Sequence, residues 1–204
     1  MTYLLRIDVS PRACVSHSRR FANEAMARLL ALHNIERVVH RDIASDPVPP
    51  IEETYVRAML AHTSREASIA VSALAFSEKL IDELDAACAL LISTPVHNYT
   101  VPAALKLWID HIVRVGRTFK STPTGKVGTL FDRPTLIVSA AGGYFRNGAA
   151  AQPDFFTPYV NAVLATIGIY SVRHIRLEGL ARGDEAVCRA YANAREELSL
   201  LRTA

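Results

Sequence analysis

Two short runs in the second half of this chain admit few folds. "ACALLIS" (87–93) and "PTLIVSAAGG" (134–143) are apolar almost throughout, and they lack the polar alternate positions of a half-exposed strand. Strands of that kind are buried on both faces, as in a parallel sheet covered by helices. The rest of the chain supplies the pattern. "YLLRIDVS" (3–10), "IERVVHRDI" (35–43) and "YSVRHIRLEGL" (170–180) read as three more strands. Between them, residues 18–34, 52–62, 65–85, 101–115, 156–168 and 184–202 carry apolar residues at helical spacing, such as Phe21, Ala25, Leu29 and Leu32. Five strands separated by helices imply right-handed crossovers and an α/β fold, a five-stranded parallel sheet with helices on both faces. With 204 residues and no internal repeat, low-complexity tract or linker, residues 1–204 read as a single domain.

Charge narrows the partners. The net charge is +3 and the charges are scattered, which argues against nucleic acid or a membrane surface as partner. The N-terminus meets Arg6 and Asp8 too soon for a signal-peptide core, and no uncharged stretch is long enough for a bilayer span. Cys14, Cys88 and Cys188 are far apart and form no CxxC pair, so a cytoplasmic protein without disulfides is expected. His33, His40, His62, His111 and His174 show no metal-ligand spacing, and no metal is expected.

In an open parallel sheet, ligands bind beyond the carboxyl ends of the strands, so the loops after residues 10, 93 and 139 matter most. The first, "SPRACVSHSRR", sets Ser10, Ser16 and Ser18 around a helix N-terminus, where hydroxyls and free amides suit a phosphate, although Ser16 or Ser18 could equally be a plain cap. The second, "TPVHNYTVP" (94–102), is stiffened by Pro95 and Pro102 and presents Val96, His97, Asn98 and Tyr99 as a wall for a flat ring; the plainer reading is a turn at Asn98 with Thr100 opening the helix. The third, "SAAGGYFRNG", brings a glycine pair where backbone must approach a ligand, or is a simple turn. One hydroxyl-rich loop and two ring-suited loops at one sheet edge together fit a mononucleotide, and specifically flavin mononucleotide (FMN). Neither G-x-G-x-x-G nor a P-loop follows any strand, and "TGKVGT" (124–129) reads as a surface turn.

At these residues the chain resembles the FMN-dependent NAD(P)H azoreductases and their flavodoxin-like quinone reductase relatives. The likeness runs through Ser10, "SHS" (16–18), "TPVHNYTVPAALKLWIDHIVRVGRTF" (94–119), "SAAGG" (139–143) and "FTPYVNAVLATIGI" (156–169); its most specific part is P-x-x-N followed by LK-x-x-x-D. The resemblance implies a flavodoxin-like fold with Ser10, Ser16, His17 and Ser18 on the FMN phosphate. It places Val96, His97, Asn98 and Tyr99 along the isoalloxazine ring and Ala140, Ala141, Gly142 and Gly143 on its other side. It also implies a homodimer with a shared active site, and ping-pong hydride transfer from NADH or NADPH through FMN to quinones and aromatic azo compounds.

The flavin carries that chemistry, so no catalytic protein residue is named. Phe119, Tyr144 and Phe145 are candidates for the substrate pocket; Phe156 reads better as core, and Trp108 as core or dimer interface. Cys14 reads as a small filler. The chain departs from the family at His97, where tyrosine is frequent, and at Ala140 and Ala141, where a Ser-Arg pair is frequent. Those changes bear on flavin potential and acceptor choice. Two rival classes are an electron carrier, against which the positive net charge weighs, and a binding protein that kept the fold without reductase activity.

Overall fold

The structure, a computed structural model, describes residues 2–60, 67–145 and 152–202. The first half of the chain runs β1 (Tyr3–Asp8), α1 (His17–His33), β2 (Arg37–Asp42), α2 (Glu53–Leu60), α3 (Ala67–Asp85) and β3 (Ala89–Pro95). The second half runs α4 (Ala103–Ile112), β4 (Phe119–Thr122), β5 (Gly125–Gly128), β6 (Thr135–Ala140), α5 (Phe156–Ile167), β7 (Val172–Leu177) and α6 (Asp184–Ser199). Five strands form one parallel sheet in the order β2-β1-β3-β6-β7, with Leu4 facing both Val38 and Ala89, and Ile92 facing Ile137. The expected α/β architecture is the one observed.

Alternation along the strands explains the two layers. Tyr3, Leu5 and Ile7 of β1 pack with Leu80, Ile81 and Leu84 of α3, Leu105 and Trp108 of α4, and Phe156 and Leu164 of α5. Leu4 points the other way, into a second cluster with Phe21 and Leu29 of α1 and Ala194 and Leu198 of α6. Because helices cover both faces, β3 and β6 are buried along nearly their whole length, which is why they read as unbroken apolar runs. Each fully buried Leu or Ile contributes about 1.5–3 kcal/mol. Trp108 and Phe156, 1% and 2% exposed, are core residues.

Helix ends follow local chemistry. Ser16 caps α1, and α1 stops at Asn34, whose φ of 52° turns the chain out of the helix. The helix expected from residue 101 begins at Ala103, with Pro102 at its cap position. Thr100 does not open it, being paired back to His97. The expected helices over 52–62 and 65–85 are found as α2 and α3, with residues 61–66 outside the described residues.

One element escapes the sequence pattern. β4 and β5 pair antiparallel as a separate two-stranded sheet, so "TGKVGT" is a strand of a hairpin rather than a lone surface turn. The hairpin lies against the C-terminal end of α5, where Leu130 N donates to Ile167 O at 3.1 Å and Gly128 meets the backbone of Gly168. Among the described residues, no helix is long and apolar enough to cross a membrane.

Candidate functional site

The strand order reverses between β1 and β3: from β1 the chain goes outward to β2, then returns to β3 and continues to β6 and β7 on the other side. The loops after β1, β3 and β6 open at the same edge, because all five strands are parallel. Beneath the first two lies a buried polar knot. The Asp8 carboxylate, 2% exposed, accepts from Arg6 Nε at 3.1 Å, Ser93 Oγ at 2.5 Å and His40 Nε2 at 2.8 Å. The Ser93 and His40 bonds tie β1 to β3 and β2, while the Arg6 bond lies within β1. Arg19 in the first turn of α1 reaches the end of β2 through two 2.6 Å bonds to Asp42. Burial would raise the Asp42 carboxyl, but bonds from Arg19, from Ser45 and from the Ala44 amide hold it well below the usual carboxylate range.

The first loop tightens through a short 3-10 turn (Ala13–Val15) into α1. Ser16 Oγ accepts from Arg19 N at 3.4 Å and sits 3.1 Å from Ser18 Oγ, while Ser10 Oγ accepts from Arg12 N at 3.3 Å. Ser10, Ser16 and Ser18 are all buried. Helix geometry leaves the amides of His17 and Ser18 without intrahelical acceptors. His17 Nδ1 shares a hydrogen bond with Tyr191 Oη at 3.2 Å. Partial burial, then the guanidinium groups of Arg20 and Arg12, push the His17 pKa down. No carboxylate lies between residues 9 and 18.

The second loop is stiff for a reason other than its prolines. His97 and Thr100 exchange two backbone bonds of 3.0 Å, and the two residues between them, Asn98 and Tyr99, both have positive φ, at 47° and 73°. That is the two-residue turn of a tight hairpin. Asn tolerates the left-handed region; a bulky aromatic side chain there is unusual. His97, Asn98 and Tyr99 are exposed, and Val96 N donates to Ala140 O at 2.9 Å, so the second loop is fastened to the third.

In the third loop Ala141 is buried, Gly142 is exposed, and Gly143 and Tyr144 are half-buried. Phe145 turns into a small cavity with Val96, Ala141 and Phe156. Among the described residues, the amides of Asn98, Tyr99, Gly142 and Gly143 have no acceptor. Two loops thus offer spare donors beside flat side chains, and the first offers hydroxyls and helix-start amides flanked by Arg12 and Arg20. The donor set fits FMN, with its phosphate at the first loop and the heteroatom edge of its ring at the other two.

The structure therefore brings Ser10, Ser16, His17 and Ser18, Val96 to Tyr99, and Ala140 to Gly143 to one edge. Phe119 is not among them. It sits in β4 beyond the far end of α4, 7% exposed, with Lys126 Nζ 4.9 Å from its ring centroid. Cys14 is exposed rather than a filler. His111 bonds to Pro49 O at 3.0 Å, His174 to Asn161 at 2.8 Å and His40 to Asp8, while His62 lies outside the described residues. The sequence reading missed Glu178 and Gly179. It ran the last strand to residue 180, although β7 ends at Leu177 and a fourth loop opens there at the same edge. A glutamate-glycine step directly after a strand was the available signal.

An open parallel sheet with this strand order and an edge of spare donors defines a flavodoxin-like nucleotide-binding protein. A family model described as the flavodoxin-like fold matches residues 2–201. FMN-dependent NADH:quinone oxidoreductase 2 of Cupriavidus pinatubonensis is 48% identical over 191 residues, covering 94% of this chain and 93% of that protein. FMN-dependent NADH:quinone oxidoreductase 4 of Pseudomonas fluorescens is 44% identical over 200 residues, covering 98% and 95%. Among solved structures, the FMN-dependent NADH-azoreductase of Bacillus anthracis str. Ames Ancestor in complex with FMN superposes with a TM-score of 0.79 at 26% identity, covering 98% of each chain. The chain belongs to the flavodoxin-like family of FMN-dependent NADH:quinone oxidoreductases and azoreductases.

Proposed function

We propose that this protein is an FMN-dependent NADH:quinone oxidoreductase that also accepts aromatic azo compounds, working as a cytoplasmic homodimer whose second subunit completes the site. The observation that carries the reading is the set of donors at this edge: helix-start amides beside the mutually bonded hydroxyls of Ser16 and Ser18 on one side, and the amides of Asn98, Tyr99, Gly142 and Gly143, without acceptors among the described residues, on the other. The relatives named for FMN and NADH, matched over nearly their full length, support it.

FMN, when bound, would supply the redox chemistry, two-electron hydride exchange between nicotinamide and acceptor. The protein's part is binding and orientation. Ser10, Ser16 and Ser18, with the amides of His17 and Ser18, hold the phosphate dianion, and the positive end of α1 adds to the attraction. His17, anchored by Tyr191, keeps its other ring nitrogen for a hydrogen bond. The 97–100 hairpin and the Gly142–Gly143 backbone direct amides at the ring's heteroatom edge, where they favour negative charge that develops on reduction. Backbone hydrogen bonds between His97 and Thr100, and from Gly179, Leu180 and Ala181 to the third loop, hold those peptide planes. His97 is exposed at the same edge.

Steady-state kinetics of the FMN-loaded protein test the assignment. NADH oxidation should require a quinone or azo acceptor, and double-reciprocal plots at several acceptor concentrations should be parallel, the signature of a two-step exchange. Converging lines would contradict the two-step scheme. A protein that retains FMN yet does not oxidise NADH would be a carrier fed by another protein.

A further inference from the structure

The fourth loop at this edge, Glu178 to Gly183, holds the third by its backbone. Leu180 N donates to Ala141 O at 3.1 Å, Ala181 N to Gly142 O at 3.2 Å and Gly179 N to Gly143 O at 2.9 Å. Three successive carbonyls of the third loop are therefore turned toward the fourth. In a trans peptide the N–H points opposite to the C=O, and the described residues contain no cis peptide. Tying back the carbonyls of Ala141 and Gly142 thus turns the amides of Gly142 and Gly143 outward.

Two side-chain facts complete the brace. Gly179 has a φ of 76°, and a Cβ on it would overlap the Tyr144 ring, so that ring lies directly on the glycine. Glu178 Oε2 accepts from Phe145 N at 3.2 Å, fixing the residue after Tyr144. Below them, Arg176 Nη2 bonds to Thr157 Oγ1 at 2.7 Å and pairs with Asp154 at 3.7 Å, which anchors the start of α5 to the same strand.

The geometry points to Glu178 and Gly179 as positioning residues for the flavin ring: Gly179 by seating Tyr144, Glu178 by tethering Phe145, and both by keeping the Gly142 and Gly143 amides aimed at one place. The inference rests on the assignment of the third loop to the ring made above. It belongs to the ring side alone, so it has a signature that phosphate-loop changes lack. FMN and riboflavin, which differ by the phosphate, should lose affinity together.

Flavin fluorescence quenching gives both dissociation constants. Gly179→Ala should weaken FMN and riboflavin alike, by about tenfold, leaving their ratio as in the wild type. An Ala at positive φ is strained whatever its neighbours, so the same change is made in a Tyr144→Ala background. There the strain persists but the overlap is gone, and the further loss should fall below about twofold. Equal losses in the two backgrounds would reduce Gly179 to a backbone constraint and overturn its role. Should Gly179→Ala not fold, Glu178→Ala should weaken both ligands while Glu178→Gln, which keeps an acceptor for Phe145 N, restores them. Equal loss in that pair would overturn the tether. An altered FMN-to-riboflavin ratio would move both residues to the phosphate side and overturn the inference. Wild-type protein that binds neither ligand would overturn the functional reading and this inference with it; wild-type binding with unchanged variants would overturn this inference alone.

Discussion

Tyr99 holds φ at 73° while 45% exposed, a conformation costing a non-glycine residue about 1–2 kcal/mol. Strain kept at a ligand edge is a recurring feature of binding sites. Tyr99→Gly should therefore stabilise the ligand-free protein by about 1 kcal/mol, seen as a higher urea midpoint, and weaken FMN binding by removing the ring. A lower midpoint would show that Tyr99 packs in a way that outweighs its strain. His174 sets a pH dependence. Burial first and then Arg176, partly opposed by Asp154, push its imidazole down to about 4. The unfolded chain takes up that proton more readily, so the contribution is complete above about pH 6.5 and declines as pH falls toward 4, by at most about 3 kcal/mol. His174→Gln should flatten the difference between urea midpoints at pH 7 and pH 4.5. Equal slopes in both proteins would contradict this.

At the level of elements, β3 and β6 were legible because burial on both faces leaves Leu90 to Ile92 and Leu136 to Val138 as unbroken apolar runs, with only small hydroxyl residues at their ends. The β4–β5 hairpin was not, since its strands are Phe119–Thr122 and Gly125–Gly128, short and mostly exposed, with no alternation to read. Close approach places it: a Cβ on Gly128 would fall within the Gly168 backbone, and one on Gly168 would meet Leu130 O. Gly128→Ala should cost several kcal/mol, read as a lower urea midpoint, while leaving FMN affinity unchanged because the hairpin lies beyond the far end of α4. A loss of FMN affinity at unchanged stability would contradict that separation. The 97–100 turn was half legible. Asn98 marks a turn, but local preference would not place tyrosine in the left-handed region beside it, and two prolines suggested a stiffness that the His97–Thr100 pairing supplies. The fourth loop was hidden for a different reason: Glu178 carries on the polar-apolar alternation of Ile175, Arg176 and Leu177, and only the end of pairing at Leu177 shows where the strand stops.

For the whole molecule, the positions that build the edge come from distant parts of the sequence, and only the parallel sheet brings them together. Ser16, Asn98, Gly142 and Gly179 each follow a different strand. A ligand bridging those loops should stabilise the entire fold. At a free FMN concentration one hundred times the dissociation constant, the gain is about 2.7 kcal/mol, and the thermal midpoint should rise with FMN. Ser16→Ala combined with Ser18→Ala should reduce that rise for FMN and leave riboflavin binding nearly unchanged, the opposite pattern to the ring-side variants.

The most direct test of the central claim is the visible absorption spectrum of the protein loaded with FMN, desalted, and then treated anaerobically with NADH followed by a quinone. The account predicts flavin bands that survive desalting, bleach on NADH and return with quinone. Bands lost on desalting would contradict the assignment of the edge to FMN, and bands that persist unbleached in NADH would contradict the reductase.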